Sequence, residues 1–138
     1  MYISEDKKKT MRCGCIYLGV AAFALLFGTV YEQFSHGVFS WHMAFLFVFP
    51  LIGGALPYMI AAILRCAPAP GSLSACLWNS GIAALTVGSC VQGVLEIYGT
   101  TSPYLPLFYV AGGVFCALGA AAYIRDIRTC RKRINDEI

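Results

Sequence analysis

Residues 42–64 have the sequence HMAFLFVFPLIGGALPYMIAAIL, which contains no Asp, Glu, Lys or Arg. A helix needs roughly 20 apolar residues to cross the hydrocarbon core of a bilayer, so this run predicts a transmembrane helix. Three similar runs lie at about residues 13–31, 75–98 and 104–124. Only 12% of the residues are charged and the mean hydropathy is +0.69, whereas about a quarter of the residues of a soluble domain are charged. We therefore predict an all-helical polytopic membrane protein, a bundle of four transmembrane helices that forms a single domain over residues 1–138.

The ten Lys and Arg residues all lie on one side of this four-span pattern. Four precede the first span, one lies between the second and third, and five follow the fourth: Lys7, Lys8, Lys9 and Arg12, then Arg65, then Arg125, Arg128, Arg131, Lys132 and Arg133. Basic residues close to membrane ends stay in the cytoplasm. Both termini should therefore be cytoplasmic, in short basic tails at residues 1–12 and 125–138, and the connections near residues 32–41 and 99–103 should face outward. We expect an integral protein of a membrane such as the bacterial cytoplasmic membrane.

The net charge of +3 comes from basic residues that are confined to the regions next to the membrane. Attraction to anionic lipid at the cytoplasmic face explains this distribution, and nucleic acid is not an expected partner. The chain also has seven cysteines, none of them in an outward connection. Structural disulfides form in oxidising compartments, so we expect reduced thiols.

Polar residues form a stripe along the third span. Asn79, Thr86, Ser89 and Glu96 fall within an arc of about 100° on a helix, with Gln92 at its edge. Lipid cannot hydrogen-bond these side chains, so the stripe should face the bundle interior, another subunit or a water-filled cavity. Two interpretations remain open: adhesion between helices, and a path for a solute or for protons.

Two prolines and two glycines interrupt the second span: Pro50, Gly53, Gly54 and Pro57. Each proline removes a backbone donor and clashes with the carbonyl four residues earlier. The pattern predicts a kink or local unwinding near the middle of the membrane. Interrupted helices often line the binding sites of transporters, but prolines also occur in membrane helices that are purely structural.

Four chemically suggestive residues lie at the predicted outer face: Glu32, His36, His42 and Glu96. Imidazole and carboxylate groups bind divalent metals such as zinc, histidine binds haem, and either group relays protons. A metal or haem site at these four residues is therefore one hypothesis. The alternative is that the carboxylates cap or pair locally and that the histidines join Trp41 in the interfacial aromatic belt.

The fourth span offers surfaces for close packing. Small residues recur at every fourth position in two parallel rows: Gly113, Ala117 and Ala121, and Gly112, Cys116 and Ala120. Such rows let helix backbones approach closely. They predict packing against another span, against a second copy in a homo-oligomer, or against a membrane partner.

The sequence contains no P-loop, nucleophile elbow, HExxH motif or dinucleotide fingerprint, so a catalytic function is not favoured. The leading hypothesis is a small transporter, channel or solute-binding unit with a polar path along the third helix. One alternative is a non-catalytic accessory subunit of a membrane complex. The other is a metal- or haem-binding redox or sensor protein that uses the outward His and Glu residues.

Overall fold

A computed structural model describes most of the chain. It covers the backbone of residues 2–35, 37–63 and 70–136, and the side chains of residues 8–35, 37–63 and 70–129. Arg65, one of the basic residues behind the predicted orientation, lies outside this range, as does His36.

The described chain is helical in every predicted span. The elements are α1 (Tyr2–Gln33), α2 (Trp41–Ala44), a π-helical segment (Phe49–Ala55), α3 (Leu56–Ile63), α4 (Ser72–Ile97) and α5 (Leu105–Asp136). Four helical stretches are long and apolar enough to cross a membrane: Lys8–Gln33, Trp41–Ile63, Ser72–Ile97 and Leu105–Thr129. The prediction of an all-helical chain with four helices long and apolar enough to span a membrane is therefore confirmed for the described residues. The helices α1 and α5 also extend into the basic tails, because Lys, Arg and Glu favour helix while apolar runs mark only the membrane segment.

The four spans pack in chain order. Helix α1 packs against the second span, the second span packs against α4 through α2 and the π-helical segment, and α4 packs along α5 over the largest interface. Among the described helices, α1 does not approach α4 or α5 with Cα atoms within 8 Å. The bundle is therefore an open row of spans. We call the end that holds Lys8, Arg12 and Arg128 the basic end, and the end that holds His42 the histidine end.

Glycine allows α4 and α5 to approach closely. A Cβ atom on Gly81 would lie 2.8 Å from the backbone nitrogen of Cys116 and 2.9 Å from the carbonyl oxygen of Gly112. One of the two predicted small-residue rows of α5 therefore faces α4. The other row faces away, because a Cβ on Gly113 would meet nothing within 4 Å and Ala117 is exposed.

The second span departs from α-helical geometry twice, first in a turn at residues 45–47 and again where the prolines and glycines lie. Pro50, Gly53 and Gly54 fall inside the π-helical segment, and Pro57 lies in the first turn of α3. Neither proline can donate the i→i−4 backbone hydrogen bond of an α-helix. The glycines leave room for neighbours, since a Cβ on Gly53 would clash with Ile82 of α4.

The surface composition agrees with immersion in lipid. Large apolar side chains project outward along α1 and α5, including Phe23, which is 68% exposed, and Val110, which is 63% exposed. The small buried core lies at the histidine end, around Met43, Leu46 and Ala24. A soluble protein rarely exposes apolar surface this extensively.

Candidate functional site

The carboxylate of Glu96 is the centre of a polar cluster at the histidine end. Its Oε1 atom lies 2.7 Å from Nδ1 of His42, an ion-pair distance when the imidazole is protonated. The hydroxyl of Ser40 donates to Oε2 at 2.7 Å, and the amide of Gln92 donates to Oε1 at 3.2 Å. Glu96 of α4 thus binds side chains at the start of the second span as well as one on its own helix.

Further hydrogen bonds extend this cluster to α5. The hydroxyl of Tyr109 donates to Oε1 of Gln92 at 2.7 Å, and the hydroxyl of Ser89 donates to the carbonyl of His42 at 3.0 Å. Ser40 also caps α2, because its Oγ accepts from the backbone N–H of Met43. We call these side chains the histidine cluster: Ser40, His42, Ser89, Gln92, Glu96 and Tyr109.

His42 and Glu96 of the histidine cluster are partly exposed at the protein surface, although Nδ1 of His42 itself is buried. The side chain of His42 is 39% exposed and that of Glu96 is 37% exposed. Charge–charge attraction between them is therefore weakened by solvent or headgroup screening.

The described residues do not assemble the predicted metal or haem ligands. His42 and Glu96 meet, but within the described part of the chain no three His, Cys, Asp or Glu residues group closely enough to hold a metal ion. Glu32 is separate from the pair, and its buried Oε1 has no hydrogen-bond partner in that part. Since zinc takes at least three protein ligands, two side chains do not suffice, and the fourth predicted ligand, His36, lies outside the described residues.

A second polar cluster lies deeper, towards the basic end. Oδ1 of Asn79 accepts hydrogen bonds from the hydroxyls of Tyr17, at 2.9 Å, and Tyr58, at 2.8 Å. The two tyrosine rings stack with centroids 5.8 Å apart. We call Tyr17, Tyr58 and Asn79 the tyrosine cluster. It joins α1, α3 and α4 through side chains.

The predicted polar stripe is therefore divided between two clusters. Ser89, Gln92 and Glu96 belong to the histidine cluster, whereas Asn79 belongs to the tyrosine cluster. Thr86 lies between them and donates to the carbonyl of its own helix at Ile82, 2.8 Å away. Helical periodicity predicted a common face, but Asn79, Ser89, Gln92 and Glu96 each also have a hydrogen-bond partner on another element.

A cleft of about 480 Å³ lies between α1 and α4. Two of the predicted path residues, Asn79 and Thr86, line it, and Pro50 of the π-helical segment also contributes. The other lining residues are Cys13, Ile16, Tyr17, Val20, Ile82, Ala83 and Val87. The NH₂ group of Asn79 has no hydrogen-bond partner among the described residues. The cleft is thus largely apolar and contains a few polar groups.

Two further contacts position these elements. Nε1 of Trp78 donates to the carbonyl of Gly53 in the π-helical segment at 2.8 Å. The carboxylate of Asp126 on α5 accepts from the backbone N–H of Gly71 at 3.1 Å and from the hydroxyl of Ser74 at 2.9 Å. Asp126 therefore caps the first turn of α4 from a different helix.

Sequence reasoning did not select several residues that make these contacts: Tyr17, Tyr58, Tyr109, Ser40 and Trp78. One signal was present, because a tyrosine or tryptophan within a span needs a partner for its O–H or N–H group. That signal does not identify the partner. Asn79 and Gln92 were predicted as path residues, yet here they accept hydrogen bonds from tyrosines.

Comparison with known proteins identifies no relative of this chain. No protein-family description matches the chain, and no curated protein and no solved structure is significantly similar to it.

Proposed function

We propose that this chain is a solute-binding membrane protein, and that its ligand is a small, largely apolar molecule that enters the cleft between α1 and α4 from the bilayer. The observation that carries the proposal is the cleft itself, with a volume of about 480 Å³. Ligand sites are typically of roughly 300–1,000 Å³, mostly apolar, with a few placed polar groups. The cleft agrees with that description.

Asn79 is the proposed polar contact for the ligand. The hydroxyls of Tyr17 and Tyr58 both bind one end of its amide, so the side chain is held in a single orientation. The other end has no partner among the described residues. An unpaired amide next to lipid is costly, and a ligand with a hydrogen-bond acceptor relieves that cost. The hydroxyl of Thr86 lines the same cleft.

The π-helical segment supports a binding role because such segments occur often at functional sites. Its residue Pro50 forms part of the cleft wall. A water-filled channel along α4 is less well supported than a binding site. The polar residues of α4 hydrogen-bond within two separate clusters, and no polar connection between the clusters is seen among the described residues.

The test is to fill the cleft and to analyse what copurifies. Ala83 lines the cleft, so Ala83→Trp should occupy it, whereas Ala117→Trp places the same side chain on an exposed face of α5. Protein purified in mild detergent is extracted, and its small molecules are identified by mass spectrometry. We expect one compound class in wild type and in Ala117→Trp that is about tenfold depleted in Ala83→Trp.

Thr86→Val provides a milder variant, because it preserves the shape of the side chain and removes the hydroxyl. We expect partial loss of the same compound and an unchanged melting temperature. Identical extracts from wild type, Ala83→Trp and Thr86→Val would refute the proposed binding site.

A second candidate function is that of a non-catalytic subunit of a membrane complex. It is favoured by the exposed row of Gly113 and Ala117 on α5, whose Gly113 has open space where a Cβ would be. Small-residue rows of this kind let a second helix approach closely. Cysteine cross-linking from Ala117→Cys in native membranes distinguishes the two functions when it is compared with the unaltered chain and its seven native cysteines. A product that depends on Ala117→Cys is expected only for the subunit role.

A further inference from the structure

A groove of about 260 Å³ lies among α3, α4 and α5 at the basic end, separate from the cleft between α1 and α4. Small residues of α5 border it: Gly119 lies close against α4, since a Cβ there would come within 2.7 Å of the backbone nitrogen of Trp78, and Ala120 lines the groove beside it. Aromatic and apolar side chains form most of the wall, namely Tyr58, Ala61, Trp78, Tyr123 and Ile124.

The size and lining of the groove favour a hydrocarbon chain. Its volume lies below the roughly 300–1,000 Å³ of a drug-sized ligand site, and its wall is almost entirely apolar. Within a bilayer the abundant molecules of that chemistry are lipid acyl chains. Tryptophan and tyrosine concentrate at the depth of the headgroups, and Trp78, Tyr58 and Tyr123 all line this groove.

The charged residues near the groove indicate which kind of lipid headgroup would be bound. Arg128 lies one helical turn beyond Ile124, on the side of α5 next to the face that lines the groove. Arg125 lies on the side of α5 that is turned away from the groove. In the part of the chain whose side chains are described, Arg128 has no ion pair. The nearby carboxylate of Asp126 is bound to the N–H of Gly71 and the hydroxyl of Ser74 at the start of α4. An exposed cation, without an ion pair among the described side chains, therefore lies about one helical turn beyond the apolar groove.

We infer that this groove binds an acyl chain of an anionic phospholipid whose headgroup contacts Arg128. The site is specific, in contrast to the diffuse attraction that the basic tails exert on an anionic surface. It does not depend on a ligand in the cleft between α1 and α4.

Fluorescence quenching tests this inference directly. The chain has two tryptophans, so Trp41→Phe leaves Trp78 in the groove as the single reporter. The protein is reconstituted into phosphatidylcholine vesicles with equal fractions of either phosphatidylglycerol or phosphatidylcholine brominated on the acyl chains. We expect brominated phosphatidylglycerol to quench Trp78 with an apparent affinity about fivefold higher, the effect of one arginine near the surface.

Two arginine variants in the Trp41→Phe background separate a site from general attraction. In Arg128→Gln the two brominated lipids should quench Trp78 with equal apparent affinity. Arg125→Gln loses the same charge but should keep most of the preference for phosphatidylglycerol. Equal quenching of Trp78 by both lipids before any arginine is changed would overturn the inference. An equal effect of Arg125→Gln and Arg128→Gln would also overturn it, as would the absence of quenching by either lipid.

Discussion

The indole of Trp78 donates a hydrogen bond of 2.8 Å to the carbonyl oxygen of Gly53. In an α-helix that carbonyl would accept from the N–H of residue 57, but residue 57 is proline and has none. An unsatisfied carbonyl within a bilayer costs several kcal/mol. A side chain of α4 therefore donates to a carbonyl whose α-helical donor is missing at Pro57, in the part of the second span that is π-helical.

Replacing this donor should destabilise the protein. For Trp78→Phe, which retains an aromatic ring and removes the N–H, we expect the free energy of unfolding to fall by about 1–2 kcal/mol. The measurement is unfolding in mixed detergent micelles, followed by circular dichroism. Trp41→Phe is the matched control, because Trp41 is 66% exposed. Equal stability of the two variants would show that the bond to Gly53 contributes nothing.

Replacement of Gly81, at the interface of α4 and α5, by alanine should destabilise the protein. In Gly81→Ala the new Cβ would meet backbone atoms of Cys116 and Gly112, which cannot move aside without separating the helices. Overpacking of this kind costs roughly 1–3 kcal/mol. Gly113→Ala is the control, since its Cβ would meet nothing within 4 Å, and alanine favours helix by about 1 kcal/mol. We expect melting temperatures to fall for Gly81→Ala and to stay or rise for Gly113→Ala.

His42 and Glu96 should be energetically coupled through the 2.7 Å contact between Nδ1 and Oε1. A double-mutant cycle with His42→Ala and Glu96→Gln isolates this interaction when the free energy of unfolding is measured in mixed detergent micelles. Because both side chains are more than a third exposed, we expect a coupling energy of about 0.2–1 kcal/mol. A coupling energy of zero would show that the contact contributes nothing to stability.

Asp126 should stabilise the start of α4 through both its oxygen and its charge. Asp126→Ala removes the acceptor for Gly71 and Ser74, and we expect a loss of about 0.5–2 kcal/mol of stability. Asp126→Asn retains an acceptor oxygen and should lose less. Amide hydrogen exchange in the first turn of α4 is the direct measurement, and faster exchange should be confined to that turn. Unchanged exchange in Asp126→Ala would mean that the cap contributes nothing.

The four candidate membrane-spanning helices could be predicted from the sequence because they depend on local composition. The low charge and the runs at 13–31, 42–64, 75–98 and 104–124 predict four spans, and four helical stretches of that kind are present. Pro50 lies in the π-helical segment and Pro57 in the first turn of α3, and the missing N–H of proline is likewise a property of the residue itself. The cytoplasmic placement of both termini stays a prediction from the basic residues.

Tertiary structure alone decided how the polar residues are used. Helical periodicity put Asn79 and Glu96 on one face of α4, but their partners Tyr17, Tyr58, Ser40 and His42 come from the first and second spans and their connection. Which elements meet depends on the packing of all four spans, which no local pattern encodes. The same holds for the small-residue rows of α5, which look alike in sequence although only one faces α4. Composition and periodicity therefore determined the spans, and packing determined the clusters, the cleft and the groove.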